Sequence, residues 1–278
     1  MQRTNEIPVG YDPTQLHGHS PWSDGAHAIP EIVQAAREQG IRRLAVTDHN
    51  AWMQNLELWR ATAEHNARVP LVSWEVFPIA GTEVTLNKAG DVVLLHEPAD
   101  GNLNPDVLDF FKYAIRWRHA YTLPQLIKDA VKHHGIVSYI VHPDIRGPLV
   151  YSVPLSDILA LSGVLTDEEM SHVVVEACNH SAICLPGNSF REENLYDALV
   201  NGSGQRGGRF ALASSADYHN KSSVGKYPVM IPSAMGLRQA VKERALTPIL
   251  EEQTIFQFGL DIGRAAVEMT RASIRYHW

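Results

Sequence analysis

The chain has 278 residues, enough for one large or two small domains, and its 45% hydrophobic and 20% charged residues exclude a disordered, fibrous or collagen-like protein. A net charge of -7 removes the broad positive field expected of a general nucleic-acid binder, and the longest apolar runs, residues 92–95 and 173–175, fall far short of the roughly 20 residues a membrane helix needs. Two cysteines give no disulfide framework and residues 1–6 carry no secretory signal, so a cytoplasmic protein is expected, while 14 histidines stand out because imidazole is a frequent metal ligand.

In chain order, residues 15–19 read as a strand, 29–39 as a helix with Ile32, Val33 and Ala36 on one face and Gly40 as its stop, and 44–47 as the next strand. Residues 123–134 predict a helix ended by Gly135, 136–141 a strand, 173–177 a strand, 195–200 a helix and 210–214 a strand. Short strands alternating with helices predict parallel strands joined by crossover helices. No repeat or linker divides the chain, so one α/β domain over residues 1–278 is expected, with the Gly-rich residues 201–208 as a surface loop. The polar residues of interest fall at strand C-terminal ends, where parallel α/β folds place their active sites.

His17 and His19 flank Gly18 on an extended segment, where alternate side chains share a face and both imidazoles can reach one ion; the spacing equally fits two ordinary histidines. Asp24, in Ser23-Asp24-Gly25, and the pair Asp48-His49 at the next strand end add ligand groups at the same edge, although Asp24 also suits a turn and Asp48 a helix cap. Residues 110–121 mix cations and aromatics as single-strand binders do. They read as an amphipathic helix with its aromatic face packed and Lys112, Arg116 and Arg118 solvated or near the pocket. His65, His119, His133, His134, His172, His180 and His277 are read as structural, and Cys178 and Cys184 as core thiols.

Six segments in order resemble the PHP (polymerase and histidinol phosphatase) domain superfamily over most of the chain. They are His17-Gly18-His19-Ser20 through Gly25, Ala45 to Asn50, Ile79 to Thr85 with its Gly81 and Glu83, Tyr139 to Asp144 with His142-Pro143, Val174 to Asn179 with Glu176, and Ser214 to His219. The resemblance implies a distorted seven-stranded (β/α) barrel holding two or three divalent ions, manganese, iron or zinc, at the C-terminal strand ends. Carried over, His17, His19 and Asp217 hold a first ion with a bridging glutamate; Asp24, His49 and His219 hold another; the second ion of the pair takes the bridge and His142. Glu83 is the expected bridge, rather than Glu75, because it follows a glycine and leads its strand as the family pattern does. The family's further histidine is missing here. The aligned position is Asp91, and the nearby imidazole is His96, five positions on and so on the other side of a straight strand. Asp91 keeps the register and is the expected ligand, and an oxygen there favours manganese or iron over zinc.

The activity implied is hydrolysis of a small phosphomonoester or phosphodiester by metal-activated water, with Arg146 and Lys221 as candidate clamps on the phosphoryl oxygens. A small phosphorylated metabolite is the expected substrate, and the net charge sets nucleic acid aside. Two alternatives stay open: a nuclease using Arg116, Arg118, Arg206 and Arg209 as a local groove, and a non-catalytic metal-binding module. Asn179, which matches the family motif together with Glu176, suits ordering a loop or an outer contact of the site as well as it suits touching metal. Residues 97–122, 146–170 and 183–209 are candidate lid insertions.

Overall fold

The computed structural model describes residues 8–68, 75–87, 89–133, 135–143, 152–179 and 210–248. The strands in chain order are β1 (Tyr11–Gln15), β2 (Arg43–Ala45), β3 (Phe77–Leu86), β4 (Gly90–His96), β5 (Val137–Ile140), β6 (Val173–Asn179), β7 (Ala211–Ser215), β8 (Val229–Pro232) and β9 (Thr247–Pro248). The helices are α1 (Ile29–Glu38), α2 (Gln54–Ala67), α3 (Pro105–Trp117), α4 (Leu123–Lys132), α5 (Leu155–Leu161), α6 (Asp167–Met170) and α7 (Leu237–Lys242).

All nine strands join one sheet in the order β7-β6-β5-β4-β3-β2-β1-β8-β9. β1, β2 and β3 run parallel, as do β5, β6 and β7, while β4 is antiparallel to both of its neighbours. β7 packs against β8 and β9, and Ser214 Oγ donates to the Pro228 carbonyl at 3.1 Å, so the sheet curls into a nearly closed barrel. The α/β barrel expected from the sequence is present, but among the described residues it has nine strands rather than seven. β1 to β7 follow one another around it, and the antiparallel pair β8–β9 fills the interval between β7 and β1. Both extra strands are short and end in proline, which hides them from a pattern search.

The alternation of β4 divides the core. Val93 and Leu95 join Leu16, Ile79, Tyr139, Val174 and Ala213 on the inner face, whereas Val92 and Leu94 pack outward against Phe110, Phe111, Leu126 and Ile127 of α3 and α4. A third cluster, with Ile32, Val33, Leu44 and Leu58, seats α1 and α2. Helix ends follow local chemistry. Thr122 and Gln125 cap α4 reciprocally, Asn104 accepts from Asp106 N–H at the start of α3, and Gly40 leaves α1 at φ 75°.

Two readings need adjusting. β1 ends at Gln15 because its partners are fixed by Tyr11↔Pro232 and Gln15↔Leu44, so His17 and His19 lie beyond the strand rather than in it. The aromatic residues of α3 are also not all packed: Phe110 and Phe111 are buried, but Tyr113 and Trp117 are 52% and 47% exposed. Among the described residues no helix is long and apolar enough to cross a membrane.

Candidate metal centre

Because β1–β3 and β5–β7 are parallel, their C-terminal ends share one edge of the barrel. His17 and His19 follow β1, His49 follows β2, Glu83 lies on the long β3, His142 follows β5, and Asp217 and His219 follow β7. β4 runs the other way, so its first residues, including Asp91 opposite Thr85, reach the same edge. His96 lies at the far end of β4, five residues or about 17 Å away. Glu75 is exposed ahead of β3.

Glu83 is at the middle of the array. Its Oε2 lies 3.3 Å from His17 Nε2, 3.4 Å from His19 Nε2 and 3.1 Å from His49 Nδ1, and its Oε1 lies 3.2 Å from His142 Nε2. Asp217 Oδ1 is 3.2 Å from His19 Nε2 and 3.6 Å from His17 Nε2. Asp24 approaches His219 Nε2 at 3.2 Å, His19 Nδ1 at 3.5 Å and His49 Nε2 at 4.0 Å, while Asp91 Oδ2 is 4.0 Å from His142 Nε2. The His19 ring stacks between those of His49 and His219. All nine metal-ligating candidates of the sequence therefore converge in a chain of contacts at one edge.

The backbone is bent to achieve this. His142 (φ 33°), Asp217 (φ 46°) and Asn50 (φ 49°) adopt the left-handed region that non-glycine residues seldom occupy, and neighbours hold them there. Glu176 on β6 accepts the His142 backbone N–H, Asn179 Nδ2 at 2.8 Å, the Tyr139 hydroxyl at 2.9 Å and the Ser215 hydroxyl, and it lies 3.8 Å from His17 Nδ1. Asn179 thus orders Glu176. Asp48 accepts from Ser20 N at 2.7 Å and from the Ser20 and Ser23 hydroxyls at 2.6 Å each, tying down the loop that carries His19 and Asp24. It caps no helix, since the N-cap position of α2 is Met53. The roles of Glu176 and Asp48 depend on partners far away in sequence; the only local signals were the Glu176/Asn179 and Ser20/Ser23 spacings.

Burial opposes every charge here, and at Glu83, Asp217, His17, His142 and His219 the facing charges win. The Glu83 carboxyl is held well below its ordinary range by His49 and His17 and by bonds from His142 and His17, and Asp217 likewise by His17, His219 and His19. His219 is pushed up to about 9 by Asp217 and Asp24, and His17 and His142 are also raised. Asp91 and Asp48 go the other way, each to about 6, because burial dominates, with the Glu83 charge adding to it at Asp91. His17, His142 and His219 so hold protons that a divalent ion displaces on binding.

The donor set fits such ions. Five overlapping groups of three ligand atoms form around His17, His19, His49, Glu83 and Asp217 with Asp24, Asp91, His142 and His219. The buried atoms Asp91 Oδ1 and His142 Nδ1 have no hydrogen-bond partner. Mixed imidazole and carboxylate donors suit zinc, manganese or iron.

Lys221, two residues beyond His219, is half exposed with Nζ 3.4 Å from Glu31 on α1. Arg146, Arg206, Arg209, His134, His180, His277 and Cys184, and the side chain of Cys178, lie outside the described residues. His172 accepts from Arg238 Nε at 2.9 Å and contacts the Glu168 carbonyl at 3.0 Å, and the His133 ring stacks on Phe110, as structural histidines do.

The PHP domain model matches residues 15–181. Among curated proteins, DNA polymerase/3'-5' exonuclease PolX of Bacillus subtilis (strain 168) is 40% identical over 48 residues, which is 17% of this chain and only 8% of that protein. A solved two-domain protein from Bacteroides vulgatus ATCC 8482, containing a predicted PHP-like metal-dependent phosphoesterase, is 17% identical with a TM-score of 0.50 over 90% of this chain and 70% of that one. An endonuclease Q complex with a 27-mer duplex carrying an abasic lesion is 12% identical with a TM-score of 0.49 over 84% and 57% of the two chains. The expectation that net charge sets nucleic acid aside is overturned: a matching relative is a DNA exonuclease, and overall charge does not report the local field at a site.

Proposed function

The chain belongs to the PHP domain family, whose model spans more than half of it, and from that premise we propose that it is a metal-dependent phosphoric ester hydrolase acting on a phosphomonoester or phosphodiester. The observation that supports this most is the Glu83 carboxylate within 3.1–3.4 Å of four imidazoles. His17, His19, Glu83 and Asp217 would hold one ion, Glu83, His142 and Asp91 a second, and Asp24, His49 and His219 a third. Bound there, divalent ions neutralise phosphoryl charge and acidify water.

The chain's own residues do the positioning. Glu83 presents one oxygen to His142 and the other to His17, His19 and His49, so it can serve two neighbouring ions at once. Glu176 fixes the His142 backbone and faces the inner nitrogen of His17, which leaves Nε2 of both rings toward Glu83. Asp24 is 48% exposed, which marks its side of the array as the entry for substrate. Lys221 is the candidate cation for the outer phosphoryl oxygens if it leaves Glu31, and Arg146 is the other. A nuclease reading is favoured by the PolX match, and a reducing, cytoplasmic location by two cysteines in 278 residues.

The test is elemental analysis of the full chain after metal-replete expression, followed by assay with p-nitrophenyl phosphate, bis-p-nitrophenyl phosphate and DNA oligonucleotides under manganese, iron(II) and zinc. At least two ions per chain and hydrolysis abolished by EDTA are expected. A well-folded protein that takes up no metal on titration overturns the reading, and bound metal without turnover of any ester makes it a binding module.

A further inference from the structure

In a chain of net charge -7, residues 110–128 contain Lys112, Arg116, Arg118 and Lys128 and no acidic residue. α3, which carries the first eight residues of this stretch, divides its aromatics between core and solvent. Tyr113 and Trp117, one helical turn apart, are 52% and 47% exposed, with ring centroids 6.4 Å from each other. The Arg116 guanidinium lies 5.6 Å over the Trp117 ring, and Tyr121 meets Tyr113 edge-on at 6.4 Å. Lys112 Nζ lies 4.2 Å over the ring of Trp52, three residues past the candidate ligand His49 on the loop leaving β2. The facet is therefore continuous with the loop that leaves the metal centre.

We propose that this facet, Trp52, Lys112, Tyr113, Arg116 and Trp117, is a binding platform for single-stranded nucleic acid, bases stacking on the exposed rings and phosphates meeting the two cations. The proposal rests on the phosphoester reading above and names a substrate class for it. Base stacking on aromatics beside cations is how strands are held without sequence preference. A core-packing role does not account for two aromatics left half in water, and helix C-terminal charge compensation calls for cations but not for rings beneath them. Lys112 also bonds Asp109 at 2.7 Å, an exposed pair that a phosphate can replace. A strand stacked here would run past Trp52 toward the cluster around Glu83, presenting a phosphodiester to it.

The experiment is fluorescence anisotropy of labelled oligothymidine against the full chain in EDTA, so that binding is read without turnover. Wild type is expected to bind in dilute salt and to weaken steeply as salt is raised. Trp117→Ala is expected to bind about tenfold more weakly, Trp117→Phe to recover most of that, and Arg116→Ala to flatten the salt dependence. Val164→Ala, an exposed apolar control just beyond α5 and outside the facet, should bind as wild type does. No binding in dilute salt, or binding that Trp117→Ala and Arg116→Ala leave unchanged, overturns the proposal. So does a dimer that Trp117→Ala converts to monomer in sedimentation, which would make the facet a contact with a second copy. Failure of the phosphoester reading looks different: Trp117-dependent binding persists while the metal-loaded protein hydrolyses no ester.

Discussion

The two edges of the barrel both gather buried charge, and they use it in opposite ways. At the N-terminal edge, Arg43 is 6% exposed and donates to Asp12 at 2.9 and 3.1 Å and to Glu97 at 3.4 Å. Ser233 bonds the other oxygen of Asp12, and Glu97 also accepts the Leu237 backbone N–H, tying α7 to β4. A permanent cation is forked between two carboxylates that are themselves bonded by Ser233 and by the Leu237 backbone, which is a structural clasp. At the opposite edge no arginine or lysine enters the described cluster. Carboxylates face imidazoles whose protons can leave, at 3.1–4.0 Å, with Asp91 Oδ1 and His142 Nδ1 left without hydrogen bonds. A saturated network holds a fold together; a converging, titratable and unsaturated one is ready for an added cation.

The sharpest way to break this contrast is Glu83→Gln, which keeps the shape and removes the charge facing four imidazoles. Metal-dependent turnover should fall by at least about 1,000-fold, with metal content per chain reduced, in paired phosphoesterase and elemental measurements. Unchanged metal and rate would mean that Glu83 is structural. Arg43→Ala, at the other edge, leaves two carboxylates facing each other and should cost about 3 kcal/mol of stability in denaturant unfolding, while the folded protein still takes up metal. Loss of metal without loss of stability would erase the distinction between the edges.

Asp91 and His96 test the same contrast within one strand, because β4 runs from one edge to the other. Asp91→Ala should weaken metal affinity by about 10–100-fold or more, whereas His96→Ala should leave it near wild type, in competition titrations with a chelator. Asp91→His should keep activity and move metal preference toward zinc. The reverse pattern for the two alanine variants would put the ligand at His96.

The smallest effect is one of pH. In EDTA-stripped protein, His219 is raised to about 9, and His17 and His142 are raised as well. Their pairing contributes stability that is complete below pH about 6.5 and is lost as pH rises through about 9. The Tm of stripped protein should fall by a few degrees across that interval while metal affinity rises, since binding displaces protons. A stripped-protein Tm that climbs from pH 6.5 to 9 would show that the histidine edge is not setting the trend.

Much of this was readable along the chain because it depends on neighbours in sequence. The strand-helix alternation, the stop of α1 at Gly40 and the clustering of His17, His19, His49, His142, Asp217 and His219 just past strand ends need only local patterns and the rule that parallel strands share an edge. The two strands β8 and β9 were not readable, since they are a few residues long and exist because β1 and β7 leave edges to be covered. Nor was the split of α3, where periodicity marks a buried face but not which aromatics fall just outside it.

By itself, the sequence determined the residue types at the candidate site and their order, because ligand chemistry is a property of side chains and strand ends are marked by the chain around them. Tertiary structure alone decided which of them meet. Register places Glu83, and not Glu75, among four imidazoles, and the antiparallel direction of β4 brings Asp91 to one edge and takes His96 to the other. The left-handed turns at His142 and Asp217, and the buried carboxylates of Glu176 and Asp48 beside the cluster, depend on partners many residues away. Contacts of that range are set by packing, which no local pattern encodes.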